Sequence, residues 1–181
     1  MTLDGVMQAP GGKDEDIRGG FSFGGWAMSR NDEVGARILG QGMTSGNGML
    51  FGRWTYELFA GYWPLQTDDN PFTPVLNAAT KYVLSRTLEE PLPWENSVLL
   101  RDVEELRGID ANLTVLGSGE MTRSLLEHDL VDEYLLMIHP VVLGTGTKLF
   151  GQTATELELV EVTPTTTGVL MARYRTVRPG R

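Results

Sequence analysis

Three short stretches place glycine, hydroxyl and guanidinium groups directly after apolar runs. Leu113–Leu116 leads into Gly117-Ser118-Gly119-Glu120, Gly48–Phe51 into Gly52-Arg53-Trp54-Thr55, and Lys81–Leu84 into Ser85-Arg86-Thr87. The chemistry these residue types share is anion binding. A glycine turn that passes straight into a helix points bare backbone N–H groups at one spot, and the helix N-terminus adds partial positive charge there. Glycine also lets the backbone approach a ligand closely and adopt positive φ. Arg53 adds a planar fork of donors and Thr55 a hydroxyl, both suited to phosphate. Each stretch also has a plainer reading. Gly-Ser-Gly is equally a strand-to-helix turn with Ser118 as N-cap, Arg53 a solvent arginine on a capped helix, and Arg86 a surface charge.

The elements that carry these residues decide between the readings. Short apolar runs alternate with amphipathic stretches, which indicates an α/β chain with mostly parallel strands. In such a sheet ligands sit beyond the carboxyl ends of the strands. If the three runs are parallel strands, positions 52–55, 85–87 and 117–120 converge on one rim. Two arginines, several hydroxyls and the glycine N–H groups there would suit a nucleotide diphosphate. Arg86 between Ser85 and Thr87 would suit a ribose 2′-phosphate, which favours NADPH over NADH. The stretch 113–142 reads as strand, glycine loop, helix and second strand, the pattern of a crossover between parallel strands. Further strands are expected at Ser97–Leu100, Leu157–Val162 and Val169–Val177, the last two closing as a hairpin around TPTTTG. Helices are expected after Asn31, with Asn31 as cap, after Gly52, within Pro71–Ala79, over Asp102–Arg107 and after Gly119. His139-Pro140 interrupts the strand that begins near Glu133, because proline cannot donate to a ladder. Gln8–Arg18 is polar and reads as a surface loop. Phe21, Phe23 and Trp26 stand among glycines, and docking of that loop onto the core is the simplest use for them.

Composition bounds the alternatives. A chain of 181 residues suits one domain with its own core, and no internal boundary stands out. The net charge of −9 argues against non-specific nucleic-acid binding, which needs clustered Lys and Arg. Absence of cysteine excludes disulfides, thiolate metal sites and thiol nucleophiles, and with only two histidines no metal site is expected. No stretch approaches the roughly 20 apolar residues of a membrane span. A soluble, cytoplasmic protein without a nucleic-acid or membrane partner is expected.

The stretch VLGSGEMTRSLLEHDLVDEYLLMIHPVVLGTGTKLF, together with TLDGVMQAPGG at 2–12, LFGRWTYE at 50–57 and KYVLSRTLEEP at 81–91, resembles the dihydrofolate-reductase-like family. It is similar to the reductase domain at the C-terminal end of the bifunctional riboflavin biosynthesis deaminase–reductase, and the resemblance covers nearly the whole chain. It implies a three-layer, mostly parallel sheet with a C-terminal antiparallel hairpin, a homodimer, NADPH as cofactor and a pyrimidine or pterin-like substrate. The cofactor site it implies comprises Gly52, Arg53, Thr55, Ser85, Arg86, Thr87, Gly117, Ser118, Gly119 and Glu120. Asp4, in Leu3-Asp4-Gly5, is the residue it places near the substrate. In the family a central strand precedes Thr2-Leu3-Asp4-Gly5. The sequence begins inside that motif, so the chain is expected to lack the strand and to be less stable than one extended upstream.

The reaction this implies is an NADPH-dependent reduction such as that of the ribosylamino-pyrimidine intermediate of riboflavin synthesis. Two other readings are open. One is a nucleotide-binding dimeric scaffold without turnover. The other is dihydrofolate reductase itself, for which Asp32 or Glu33 would have to hold the pterin ring. The dimer interface is expected at Tyr134–Ile138, read as an exposed apolar strand, with core packing as its plainer reading.

Overall fold

The computed structural model describes residues 1–45, 48–67, 69–151 and 153–178. The fold is α/β, with a four-stranded parallel sheet and a separate three-stranded antiparallel sheet. The chain divides into two compact units. One is Gly40–Ser124, and the other joins Met1–Leu39 to Leu125–Arg181. Among the described residues no helix is long and apolar enough to cross a membrane.

The first unit holds the parallel sheet. Its strands are β1 (Gly48–Gly52), β2 (Thr80–Leu84), β3 (Ser97–Leu100) and β4 (Leu113–Val115), in the order β3-β2-β1-β4. Every neighbouring pair is parallel, with Gly52 level with Leu84 and Leu84 level with Leu100. The central strand β1 is buried from Gly48 to Phe51, as expected of a strand covered on both faces. Helix α2 (Arg53–Ala60) follows β1 directly and buries Tyr56. Met49, Phe51, Tyr56, Leu76, Val83 and Trp94 form the core, with Leu76 supplied by α3 (Phe72–Ala78). Lys81 is fully buried in this core. Its ammonium lies 4.6 Å from the centre of the Trp94 ring and donates to the carbonyls of Leu76 (3.2 Å) and Asn77 (2.9 Å) at the end of α3. Burial lowers its pKa from 10.5 to about 8, against an opposing pull from Glu95.

The second unit holds β5 (Glu133–Ile138), β6 (Leu157–Pro164) and β7 (Leu170–Thr176), in the order β5-β7-β6. The hairpin expected around TPTTTG is present, with an irregular register between Leu159 and Glu161. Two expectations do not hold. The stretch 113–142 does not join two strands of one parallel sheet. β5 runs antiparallel to β7, from Glu133 opposite Arg175 to Ile138 opposite Leu170, and ends before His139-Pro140. Nor is Tyr134–Ile138 an exposed apolar strand, because Tyr134 and Leu136 are buried. The exposed apolar side chains lie on the outer strand and its partner, at Leu159, Val160, Val162 and Leu170.

Helix α1 (Glu33–Ser45) begins where a helix was expected, but Asp32 rather than Asn31 caps it. The Asp32 carboxylate accepts from Gly35 N–H at 2.8 Å. Its other oxygen accepts from the backbone N–H and hydroxyl of Thr166, at 2.6 and 2.7 Å, and so ties the β6–β7 turn to the helix start. The 8–27 segment is a surface loop, as expected, with Gly11, Lys13, Asp14 and Ile17 exposed, but it is pinned at several points. Gln8, Ala9, Asp16, Phe21 and Ala27 are all buried. Composition does not reveal the pinning, because it comes from distant hydrogen bonds. Gln8 donates to the carbonyls of Asp16 and Arg18 and accepts from Thr147 N–H, and the Trp26 indole donates to Gln8 O.

Candidate functional site

Because β1, β2 and β4 are parallel and in register, the loops that follow them leave the same edge of the sheet, and the sequence-predicted cofactor residues meet there. Gly52 ends β1 and precedes α2, which starts without a side-chain cap. Gly117 and Ser118 both take positive φ, +67° and +57°, and deliver the chain into α4 (Gly119–Glu127). A side chain on Gly117 would be strained by that backbone, and its Cβ would rest against Thr55. The Ser118 hydroxyl does not turn toward its own helix. It accepts from Gly52 N–H at 3.0 Å and donates to Thr55 Oγ1 at 2.8 Å, locking the two glycine loops together. Gly119 opens α4, and Glu120 is exposed in its first turn. The first N–H groups of an α-helix have no partner within the helix, so this turn has donors to offer.

The third loop is joined to the first. Arg53 Nη1 donates to Thr87 Oγ1 at 2.7 Å and its Nε to Glu57 at 3.0 Å. Ser85 is buried, and its Oγ accepts from the N–H groups of Thr87 and Leu88 at 3.3 and 3.1 Å, closing a tight turn. Arg86 sits at the exposed crest of that turn, without a hydrogen-bond or ion-pair partner among the described residues. Arg53 is half-exposed, and its pair with Glu57 is a surface ion pair of small net worth, so it can be drawn to a phosphate at little cost. The arrangement offers glycine-lined backbone, two hydroxyls and two guanidinium groups along one edge, which is a fit for a dinucleotide's phosphates.

Sequence reasoning missed Arg101, which follows β3 and reaches the same turn. Its Nη1 donates to Ser85 O at 3.3 Å and Leu88 O at 2.6 Å. Nothing in its local sequence marks it. Only the parallel register of β2 and β3 brings it there.

Asp4 belongs to the other unit. One carboxylate oxygen accepts from the Thr2 hydroxyl at 2.6 Å and from Leu143 N–H at 3.3 Å, and the other accepts from Gly144 N–H at 2.8 Å. The Thr2 hydroxyl and then Gly144 N–H hold its pKa down from 3.8 to about 2. Asp4 therefore stays ionised and acts as an anchor for the 143–144 loop, not as a proton donor. His139 is buried, edge-on to the Trp26 ring at 5.1 Å, with Nδ1 unpartnered among the described residues. Burial is the main reason its pKa falls from 6.5 to about 4, and it is neutral at physiological pH. Asp32 is likewise held near 2, first by Gly35 N–H and then by the Thr166 hydroxyl. With both oxygens engaged it is not left to grip a pterin ring, and Glu33 is exposed at the helix start.

A family model described as the RibD C-terminal domain matches residues 1–171. The chain belongs to the RibD C-terminal domain family. Among relatives of this family member, the uncharacterized protein YyaP of Bacillus subtilis (strain 168) is 27% identical over 157 residues, which are 83% of this chain and 76% of YyaP. Among solved structures, a protein of Shewanella sp. PV-4 provisionally assigned to riboflavin biosynthesis superposes with a TM-score of 0.68 at 23% identity, covering 98% of this chain and 96% of that one. RibD of Acinetobacter baumannii superposes with a TM-score of 0.65 at 11% identity, covering 98% of this chain but 56% of RibD. At these identities the superpositions carry the RibD-like fold and no more.

Proposed function

We propose that this RibD-family protein is an NADPH-dependent reductase of a pyrimidine or pterin-like substrate, with the ribosylamino-pyrimidine intermediate of riboflavin biosynthesis as the leading candidate. The observation that carries the reading is the convergence of three loops on one edge of a parallel sheet, with Arg86 exposed at its crest and without a partner among the described residues. Family membership and the riboflavin-biosynthesis assignments of its structural relatives support the reaction class. Bound NADPH would supply the hydride, while the protein supplies orientation and charge. In this reading the first turns of α2 and α4, with Gly52, Gly117, Ser118, Gly119 and Glu120, hold the pyrophosphate. Arg53, Thr55 and Thr87 flank it. Arg86 reads the ribose 2′-phosphate from the turn that the buried Ser85 hydroxyl closes. Asp4 borders the substrate as a fixed negative charge, and proton delivery falls to water. We also propose a homodimer, now through the exposed apolar residues of β6, and a cytoplasmic setting that suits an acidic, cysteine-free chain.

One observation favours a second reading, a nucleotide-binding scaffold without turnover: neither Asp4 nor His139 is poised to give a proton near neutral pH. Dihydrofolate reduction is disfavoured by the engagement of Asp32. The test is NADPH oxidation by purified protein with the ribosylamino-pyrimidine, its deaminated form and dihydrofolate in parallel. Turnover with a pyrimidine and not dihydrofolate supports the reductase. NADPH binding with no turnover on any of the three supports the scaffold.

A further inference from the structure

Arg101 holds the turn that carries Arg86. Its Nη1 donates to the carbonyls of both Ser85 and Leu88, the first and last residues of the turn, and its Nη2 lies 3.7 Å from the Glu89 carboxylate. The backbone of Arg101 is itself fixed. Its N–H and that of Asp102 donate to Glu105 Oε1 at 2.7 and 2.8 Å, within a capping box that starts the short helix Val103–Gly108. The turn is thus braced from both sides, by the Ser85 hydroxyl within and by the Arg101 guanidinium against its two carbonyls. Between the braces stands Arg86, with no partner of its own among the described residues, and Thr87, which ties the turn to Arg53. An exposed arginine on an unbraced turn would sample many directions, and its affinity for a fixed anion would fall by the fraction of time spent elsewhere.

We propose that Arg101 is a positioning residue for 2′-phosphate recognition, acting by holding the 85–88 turn so that Arg86 is preset for the ligand. The proposal rests on the dinucleotide reading above and adds to it a residue that sets cofactor choice without touching the cofactor. One Arg101 nitrogen makes both bonds, so a lysine ammonium has donors enough to replace it, as Lys81 Nζ shows at Leu76 and Asn77, and serves as the conservative variant.

The test is calorimetric titration of the full chain with NADPH and with NADH, for the unaltered protein, Arg86→Ala, Arg101→Ala, Arg101→Lys and the Arg86→Ala/Arg101→Ala double variant. Loss of a hydrogen bond to a charged group makes Arg86→Ala lose about tenfold or more of the preference for NADPH. Arg101→Ala loses a large part of the same preference while NADH affinity holds, and Arg101→Lys, whose ammonium can donate to both carbonyls, restores most of it. Because Arg101 acts only through Arg86, the double variant is no worse than Arg86→Ala. Undiminished preference in Arg101→Ala overturns the proposal, and so does a double variant worse than Arg86→Ala, which would make Arg101 a direct phosphate ligand. Should Arg101→Ala fail to fold, Arg101→Met, which keeps the aliphatic stem and removes every donor, decides, and full preference in it overturns the proposal. If the unaltered protein binds both cofactors equally, the positioning role fails while the dinucleotide reading stands. If it binds neither, both fail.

Discussion

The loop edge of the parallel sheet and the segment around Asp4 are built from similar parts and finish in opposite states. At the sheet edge, glycine backbone, hydroxyls and arginines are braced against one another, yet Arg86 is left over with no partner among the described residues and the first turn of α4 presents unspent donors. Around Asp4 the polar groups are largely consumed, buried His139 Nδ1 being the exception. Asp4 takes three donors, Gln8 bonds on both ends of its amide, and Trp26 donates into the Gln8 backbone. A polar side chain in a family motif is therefore not by itself a chemical group. Capacity left after the protein's own bonds have been counted is the better guide, and by that measure the sheet edge keeps capacity for a ligand that the Asp4 region has largely spent.

The contrast is most vulnerable at Gly146. This residue has φ +110°, and a Cβ there would stand 2.7 Å from the Phe21 ring and 2.8 Å from Val6. Overpacking and backbone strain together predict that Gly146→Ala destabilises by about 3 kcal/mol, read from denaturant unfolding. A neutral result would mean the Asp4 region is not the tight assembly described. Arg86→Ala probes the other side. It should weaken NADPH binding by about 1.5–3 kcal/mol and leave the thermal midpoint unchanged, since the side chain holds nothing else. A large fall in the midpoint would show Arg86 to be structural.

Acid is a gentler probe. Asp4 and Asp32 have folded-state pKa values of about 2 against an ordinary 3.8. Groups depressed in this way contribute stability that is present above pH 3.8 and is lost as pH falls toward 2. The thermal midpoint should fall through that window, and Asp32→Asn should fall less steeply. Equal slopes would contradict the engagement of that carboxylate. Lys81 probes the alkaline side. Its folded pKa of about 8 lies below its ordinary 10.5, so the folded state releases this proton first and stability should rise from pH 8 toward pH 10. Lys81→Met, compared over the same range, should lack that rise.

Much of this was legible in the sequence, for physical reasons that differ by region. Gly48–Phe51, Ser97–Leu100 and the C-terminal pair of strands announce themselves as short apolar or alternating runs, and glycine at 117 marks a backbone that only glycine adopts easily. The meeting of loops 52–55, 85–87 and 117–120 followed from parallel strands. What could not be read depends on distant partners. That β5 pairs with β7, that Asp32 caps α1 while holding Thr166, and that polar Gln8 is buried all require contacts across scores of residues. Arg101 belongs with these, because its target is a pair of carbonyls, and backbone carbonyls leave no trace in residue identity.

Binding of a phosphorylated dinucleotide at the sheet edge is the claim on which the proposed function depends. Calorimetric titration of the purified chain with NADPH at low ionic strength tests it directly. Micromolar binding is expected, tighter than that of NADH and weakened in Arg53→Ala and Arg86→Ala. A folded protein that ignores NADPH at millimolar concentration would contradict it.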